Sequence, residues 1–354
     1  MKRMFMSSGR KGNYAYTVAR VKAKKSLLLG DEDYNKMLQM SVPEISRYIS
    51  ESGYQKEMSE MAGRLDGIDL LEHATYANMA KVFGSILAAS QGELHTMVAA
   101  YLEKWDIWNL KVILRGKSYG LDAEAIREDL VPAGSLGDEE LDKLISLDGD
   151  EEILAAYSKM EKVSIPQDVM SSYKETGNLG EIEDYLDKYH YTRLLASIKP
   201  DSRPTKMFEE YVRKEIDVRN LETILKLKAE GIYGEAVMKY IIPGGKQVDK
   251  RFATQLANAE TIQAAASDLQ QLEFYDIIKD LVEADSVNLR QIVTEMKKYE
   301  IAQAKKFSHL YPLSVVPILD YMIHKEIEVR NIRTIARGTE SGLAKDTIKG
   351  LLVI

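Results

Sequence analysis

The chain has 354 residues, a formal net charge of −7 at pH 7, 45% hydrophobic and 29% charged residues, and no cysteine. Without cysteine, disulfides, thiol nucleophiles and cysteine-bound zinc are excluded. Without an apolar run of about 18 residues, no segment is predicted to span a bilayer. Residues 1–25 carry eight basic side chains and no acidic one, so the remainder carries −15. This acidic body disfavours general nucleic-acid binding, which depends on attraction to phosphates.

The basic N-terminus is the first feature along the chain. Its composition is compatible with a transit peptide, a helix on a membrane surface or a docking arm. Further on, Ser41 and Ser164 each stand two residues before a proline and three before Glu44 or Gln167. This pattern predicts a capping box at the start of a helix in both places.

The dominant feature of the chain is an internal repeat. Three six-residue segments share one pattern of apolar, acidic and asparagine residues at intervals of 111 residues: Trp105–Leu110, Ile216–Leu221 and Ile327–Ile332. The match continues downstream in the same register, through basic residues at Arg115, Lys226 and Arg337 and glycines at Gly120, Gly231 and Gly342. The chain is therefore a triplicated unit.

The repeated segment has the period of a helix. Ile107, Leu110, Ile113 and Leu114 form one apolar stripe at helical spacing. The repeated glycine is expected to end this helix in a left-handed conformation, and a second apolar run follows it. Each repeat core is thus predicted to be a helical hairpin. Because strand signals are sparse, the predicted fold class is all-α.

The repeat length indicates domains rather than short solenoid units, which run about 33 to 47 residues. We expect three tandem homologous helical domains, with approximate boundaries at 1–132, 133–243 and 244–354. From the repeat alone, the domains could form an open row or close around a pseudo-threefold axis.

Motifs that carry catalysis or metal binding are missing from the sequence. The histidines do not have the spacing of a helix-borne zinc site, and no phosphate-binding glycine loop or Gly-x-Ser-x-Gly occurs. The acidic stretch 138–152 does not follow the order of a calcium loop, so we interpret it as a solvated helix start. No catalytic, cofactor-binding or metal-ligating residue is predicted, and no cofactor is expected.

Several repeated residues have a structural interpretation beside a functional one. Asn109, Asn220 and Asn331 suggest a side-chain hydrogen bond to a neighbouring element, with partner contact as the alternative. The three basic residues near the helix ends suggest cations that offset exposed carbonyls, with a binding role as the alternative. Trp105 and Trp108 occur in the first copy only, and we interpret them as core or inter-domain packing rather than a ligand platform.

Two segments carry a family resemblance, Gly12–Leu28 with its Tyr-Ala-Tyr-x-x-Ala-Arg-Val start and Tyr101–Lys117. They resemble the C subunit of the archaeal and bacterial V/A-type ATP synthases, a family related to the d subunit of the vacuolar proton pump. The resemblance runs essentially end to end. It implies that residues 12–28 belong to the mature first domain rather than to a transit peptide.

The resemblance also implies a role. Members of this family are expected to form a funnel of three helical domains in pseudo-threefold arrangement, peripheral to the membrane on its cytoplasmic face. The funnel would join the central-stalk shaft, made of the D and F subunits, to the membrane proteolipid ring. The expected function is therefore non-catalytic coupling of ion flow to ATP synthesis, with no nucleic-acid partner.

Two other hypotheses remain open at this stage. The first is a helical scaffold protein of another complex, which would bind proteins through a concave face. The second is an all-α enzyme whose site is assembled between domains. Recovery of a proteolipid ring and shaft with the protein would favour the coupling role over both.

Overall fold

The computed structural model describes residues 12–284 and 287–354, and every regular element in this part of the chain is a helix. The all-α prediction is therefore confirmed. The helices in chain order are α1 Tyr14–Lys25, α2 Asp31–Met37, α3 Val42–Ser50, α4 Gln55–Met61, α5 Gly67–Ala89, α6 Gly92–Ser118, α7 Ala123–Glu128, α8 Asp138–Ile145, α9 Asp150–Glu161, α10 Gln167–Thr176, α11 Gly180–Ser197, α12 Arg203–Ala229, α13 Glu235–Met238, α14 Lys250–Asn258, α15 Ile262–Leu269, α16 Tyr275–Val282, α17 Leu289–Leu310, α18 Val316–Glu340 and α19 Lys345–Leu351. Within the two described ranges, no helix is both long and apolar enough to cross a membrane.

The order of the helices extends the repeat beyond the hairpin that the sequence shows. After α1, the described chain has the same six-helix group three times: α2–α7, α8–α13 and α14–α19. In each group three short helices precede two long ones, and a short helix closes the group. The upstream half of the first copy matches the others only loosely in sequence, but it forms the same series of helices.

The chain divides into two compact units. One unit contains described residues 12–13 and 73–194, and the other contains 14–72 and the described residues from 195 to 354. The boundaries fall within α5 and α11. The three-domain division at 132 and 243 stays a prediction.

Two hydrophobic cores show how the helices of each group are used. In the first unit, the core combines α6 from Ile107 onward with α7–α10 and the first half of α11. In the second unit, an equivalent core combines α12 from Val218 onward with α13–α16 and the first half of α17. Each core therefore joins the final hairpin of one six-helix group to the first four helices of the next.

The repeated glycines end the long helices as predicted. Gly120, Gly231 and Gly342 have φ values of +72°, +79° and +67°. The backbone N–H of the following residue donates to a carbonyl five residues earlier, in the pairs Leu121–Gly116, Ile232–Leu227 and Leu343–Gly338, each at 2.9 Å. These are the hydrogen bonds of a Schellman motif, in which a left-handed glycine satisfies carbonyls at the helix end.

One of the two predicted capping boxes is confirmed. Ser41 is the N-cap of α3, and its backbone N–H donates to Oε2 of Glu44 over 2.8 Å. The prediction at Ser164 is wrong, because α10 begins at Gln167 after an N-cap at Pro166. The ionised Glu44 is favoured at the positive end of a helix, whereas the neutral Gln167 gains no such stabilisation.

Two glycines allow close packing inside the repeated hairpins. A Cβ atom at Gly116 would lie 2.5 Å from Cγ1 of Ile126, and one at Gly338 would lie 2.7 Å from Cγ1 of Ile348. In the second copy the equivalent pair is Leu227 and the smaller Val237, both of which belong to one core. The three copies thus fill the same space with different divisions of side-chain volume.

We expect Gly116→Ala to destabilise the first unit by about 1–3 kcal/mol, because the added methyl group overpacks a full core. The matched control is Gly84→Ala in α5, where nothing lies within 4 Å of the added Cβ. This control should stabilise by about 0.5–1 kcal/mol through its effect on helix propensity. Urea unfolding followed by tryptophan fluorescence reports on this unit, since both tryptophans lie in it. Equal stability of Gly116→Ala and wild type would contradict the proposed close contact.

Candidate functional site

The three repeated asparagines make the same pair of hydrogen bonds. In each copy the amide Nδ2 donates to a backbone carbonyl 22 residues later, and the backbone N–H of that same residue donates to Oδ1. The pairs are Asn109 with Val131 at 2.8 and 2.8 Å, Asn220 with Ile242 at 2.8 and 2.8 Å, and Asn331 with Val353 at 2.9 and 3.1 Å. We call these three pairs the asparagine anchors.

Each anchor joins a long helix to the segment that follows the short helix of its hairpin. All three asparagines are completely buried, so their amides cannot touch a partner. The predicted hydrogen bond to a neighbouring element is confirmed, and the partner-contact alternative is wrong. A buried peptide group left unpaired would cost free energy, and an asparagine amide offers one donor and one acceptor that match it.

A repeated acid three residues before each asparagine forms a second anchor. The Asp106 carboxylate accepts from the backbone N–H groups of Ser135 at 2.7 Å and Leu136 at 3.0 Å. Asp217 accepts in the same way from Gln247 at 2.9 Å and Val248 at 2.8 Å. The sequence analysis did not single out these acids, although an acid at this position in all three copies was the available signal.

Glycines let the backbone come close to these carboxylates. A Cβ atom at Gly134 would overlap with Oδ1 of Asp106, and one at Gly245 would overlap with Oδ1 of Asp217. Burial raises the pKa of Asp106 to about 7 and that of Asp217 to about 6, although the backbone donors favour the ionised forms. Both acids therefore bind protons more readily in the folded chain than in the unfolded one.

The third copy completes its acid anchor with the beginning of the chain. The equivalent acid is Glu328, and its Oε2 accepts from the backbone N–H of Leu29 at 2.6 Å. Its Oε1 accepts from the phenol of Tyr54 and from Nζ of Lys325, which lies at 2.8 Å. Lys325 Nζ also donates to the Tyr54 hydroxyl over 2.9 Å.

This cluster is buried. Burial lowers the pKa of Lys325 despite the attraction of Glu328, and burial together with the Glu328 charge raises the pKa of Tyr54. A buried charge is tolerated when it is paired and hydrogen-bonded, as Glu328 and Lys325 are. The long glutamate side chain and the N-terminal segment together replace the loop that follows the first two copies.

The repeated basic residues near the helix ends form ion pairs in addition to their place in the last turn. Arg115 donates from Nε to Glu183 over 2.7 Å and also binds that carboxylate through its second nitrogen. Arg337 forms the corresponding fork with Glu72, with Nη2 to Oε2 at 2.5 Å. Although burial alone raises the pKa of Glu72, Arg337 and Arg333 outweigh it and hold that pKa below its usual value.

The second copy differs for a reason visible in the sequence. Glu72 and Glu183 are 111 residues apart, and the next equivalent position is Thr294. Lys226 therefore pairs within its own helix, with Glu222 at 2.6 Å. Interpreting these cations only through the carbonyls at the helix end was incomplete, because the acidic partners lie far away in sequence.

The remaining candidate residues do not assemble into a reactive centre. The five histidines lie on five different helices, and in residues 12–284 and 287–354 no group of three or more His, Asp or Glu could hold a metal ion. The acidic stretch supplies the first turns of α8 and α9, as predicted. Trp105 packs 6.4 Å from the ring of Phe83, but Trp108 is 41% exposed, so a core position for Trp108 is wrong.

The fold and its anchors thus define a repetitive all-helical protein in which the polar residues kept in every copy serve structure. The sequence model of the ATP synthase (C/AC39) subunit family matches residues 17–351. The A-type ATP synthase C subunit of Methanococcoides burtonii is 37% identical over 353 residues, covering 98% of this chain and 96% of the relative.

Two further relatives with the same name agree. The protein of Archaeoglobus fulgidus is 34% identical over 346 residues, covering 98% of each chain. That of Haloferax volcanii is 34% identical over 354 residues, covering 99% of this chain and all of the relative. The chain belongs to the ATP synthase (C/AC39) subunit family.

We expect Asn109→Ala to destabilise the first unit by roughly 2–5 kcal/mol, because two buried groups of Val131 each lose a hydrogen bond worth about 1–3 kcal/mol once left unpaired. Asn178→Ala is the control, since that exposed side chain bonds only the N–H of nearby Gly180. Urea unfolding followed by tryptophan fluorescence measures both. A loss for Asn109→Ala no larger than for Asn178→Ala would show that the anchor contributes little.

A pH dependence follows from Asp106. Because the folded-state pKa lies near 7 rather than at the ordinary 3.8, its stabilising effect is complete below about 4 and is lost as the pH rises through 7. Burial raises the pKa of Glu103 to about 7 as well, so this residue adds to the same trend. The Asp106→Asn variant should lose about 1–3 kcal/mol at low pH, where the carboxyl is neutral. Its free energy of unfolding should fall less steeply between pH 5 and pH 8 than that of wild type, and parallel curves would contradict the assignment.

Proposed function

We propose that this chain is the non-catalytic central-stalk subunit of a rotary V/A-type ATP synthase. In this role it joins a shaft made of the D and F subunits to the membrane proteolipid ring, on the cytoplasmic face of the membrane. Ion flow turns the ring, the chain turns with it, and the shaft drives ATP synthesis in the catalytic head. Family membership along nearly the whole chain is the observation that carries this proposal.

The internal anchors suit a part that transmits torque. A coupling element must resist twisting, so its helices need fixed registers rather than soft joints. The asparagine anchors tie each long helix to its return segment, and the acid anchors tie the same helix to the start of the next group. Buried polar contacts of this kind are costly to break, because each opened group would lose its partner without gaining water.

The proposal extends to the arrangement of the chain. Three helical domains, divided near residues 132 and 243, would surround an axis that receives the foot of the shaft. The acidic body, with a net charge of −15 outside residues 1–25, would attract basic residues of the shaft. Such complementarity raises the association rate and helps to set the register.

Affinity capture from detergent-solubilised membranes tests the proposal. The tagged chain should recover the proteolipid ring together with both shaft subunits. Recovery of a different soluble complex would favour the alternative of a helical scaffold protein, and recovery of neither ring nor shaft would sink the coupling role. As a functional readout, complexes reconstituted without this chain should lose ion-driven ATP synthesis, while the isolated catalytic head still hydrolyses ATP.

A further inference from the structure

The N-terminal helix α1 is attached to the fold by one face only. Its buried residues are Thr17, Val18 and Val21, and it packs along α18. At its end, Lys25 Nζ lies 2.6 Å from Oδ2 of Asp320. The buried carboxylate holds this lysine, so Lys25 belongs to the attachment of α1 rather than to its free surface.

The opposite face of α1 is uncovered and has a regular composition. Tyr16, Ala19 and Ala23 recur at helical spacing and are exposed, with Tyr16 56% accessible. Leu27, in the turn after the helix, continues this stripe and is 77% accessible. At about 1.5 Å per residue, the stripe from Tyr16 to Leu27 is roughly 16 Å long.

Basic side chains accompany the apolar stripe. Arg20 lies within it, with its guanidinium 5.7 Å from the centre of the Tyr16 ring, and Lys22 and Lys24 lie at 100° per residue on its two edges. Among the described residues, no carboxylate lies within ion-pair distance of Arg20 or Lys22, and both are exposed. Sequence adds to the charge, since the 25 N-terminal residues include no acid.

We propose that this face of α1, defined by Tyr16, Arg20, Lys22 and Leu27, docks on a bilayer surface rich in anionic phospholipid headgroups. The proposal rests on the proposed function, which brings the chain to a membrane. A narrow apolar stripe between long cationic side chains is the arrangement of helices that lie at an interface, with the cations reaching the headgroups. Tyrosine is enriched at this depth. The acidic remainder of the chain turns the basic face towards negative charge.

Vesicle binding tests the proposal with the full chain. The probes are vesicles of phosphatidylcholine alone and of equal parts phosphatidylcholine and phosphatidylglycerol, at low and at physiological salt. Wild type should bind the anionic vesicles more tightly, and salt should weaken the binding. The Arg20→Gln/Lys22→Gln double variant should bind them roughly 30-fold more weakly, since each lost basic contact costs about fivefold.

The matched control is Lys250→Gln/Arg251→Gln, which removes two exposed charges from α14 and should bind like wild type. Circular dichroism and thermal unfolding establish that both double variants are folded. Equal binding by the two variants, or no preference of wild type for anionic vesicles, would overturn the proposal. So would loss of the proteolipid ring by Arg20→Gln/Lys22→Gln in neutral detergent with unchanged vesicle binding, because the face would then bind protein. Capture of ring and shaft by wild type in that detergent tests the coupling role separately, without any bilayer.

Discussion

The pairing of a buried asparagine with a single peptide group is the interaction on which the rest of each copy depends. It fixes where the chain lies after it has left the long helix, turned at the glycine and formed the short helix. Only then do the next backbone N–H groups reach the carboxylate of Asp106 or Asp217. Since these two anchors lie one helical turn apart, a long helix holds the end of its own hairpin and the start of the next helical group together.

The copies differ where the chain has to close or where a partner has changed. No loop follows the third hairpin within this sequence, and Leu29 donates to Glu328 in the place of that loop. The longer glutamate also reaches Tyr54 and Lys325, so the first and last parts of the chain share one buried cluster. Covalent order is therefore not the order of packing, because hydrogen bonds close the third copy where the backbone does not.

The sequence predicts local features better than distant ones. The glycine helix ends and the structural role of the asparagines were predicted correctly, because spacing along one helix reveals them. The fork between Arg337 and Glu72 was missed, since its members are 265 residues apart and neither has an unusual local context. The upstream helices of the first copy were also only loosely matched, because many apolar sequences can form the same short helices.

By itself, the sequence determined the repeat, the helical class, the hairpins and the family, because these follow from periodicity and residue type. The choice of partners for the charged side chains was decided only by the tertiary structure. Arg115 and Arg337 bind glutamates on other helices, whereas Lys226 binds within its own helix. A period of 111 residues states that three units are alike, but not which half of one copy packs with which half of the next. Burial decides that, since a long helix shares its apolar face with whichever elements the anchors bring against it.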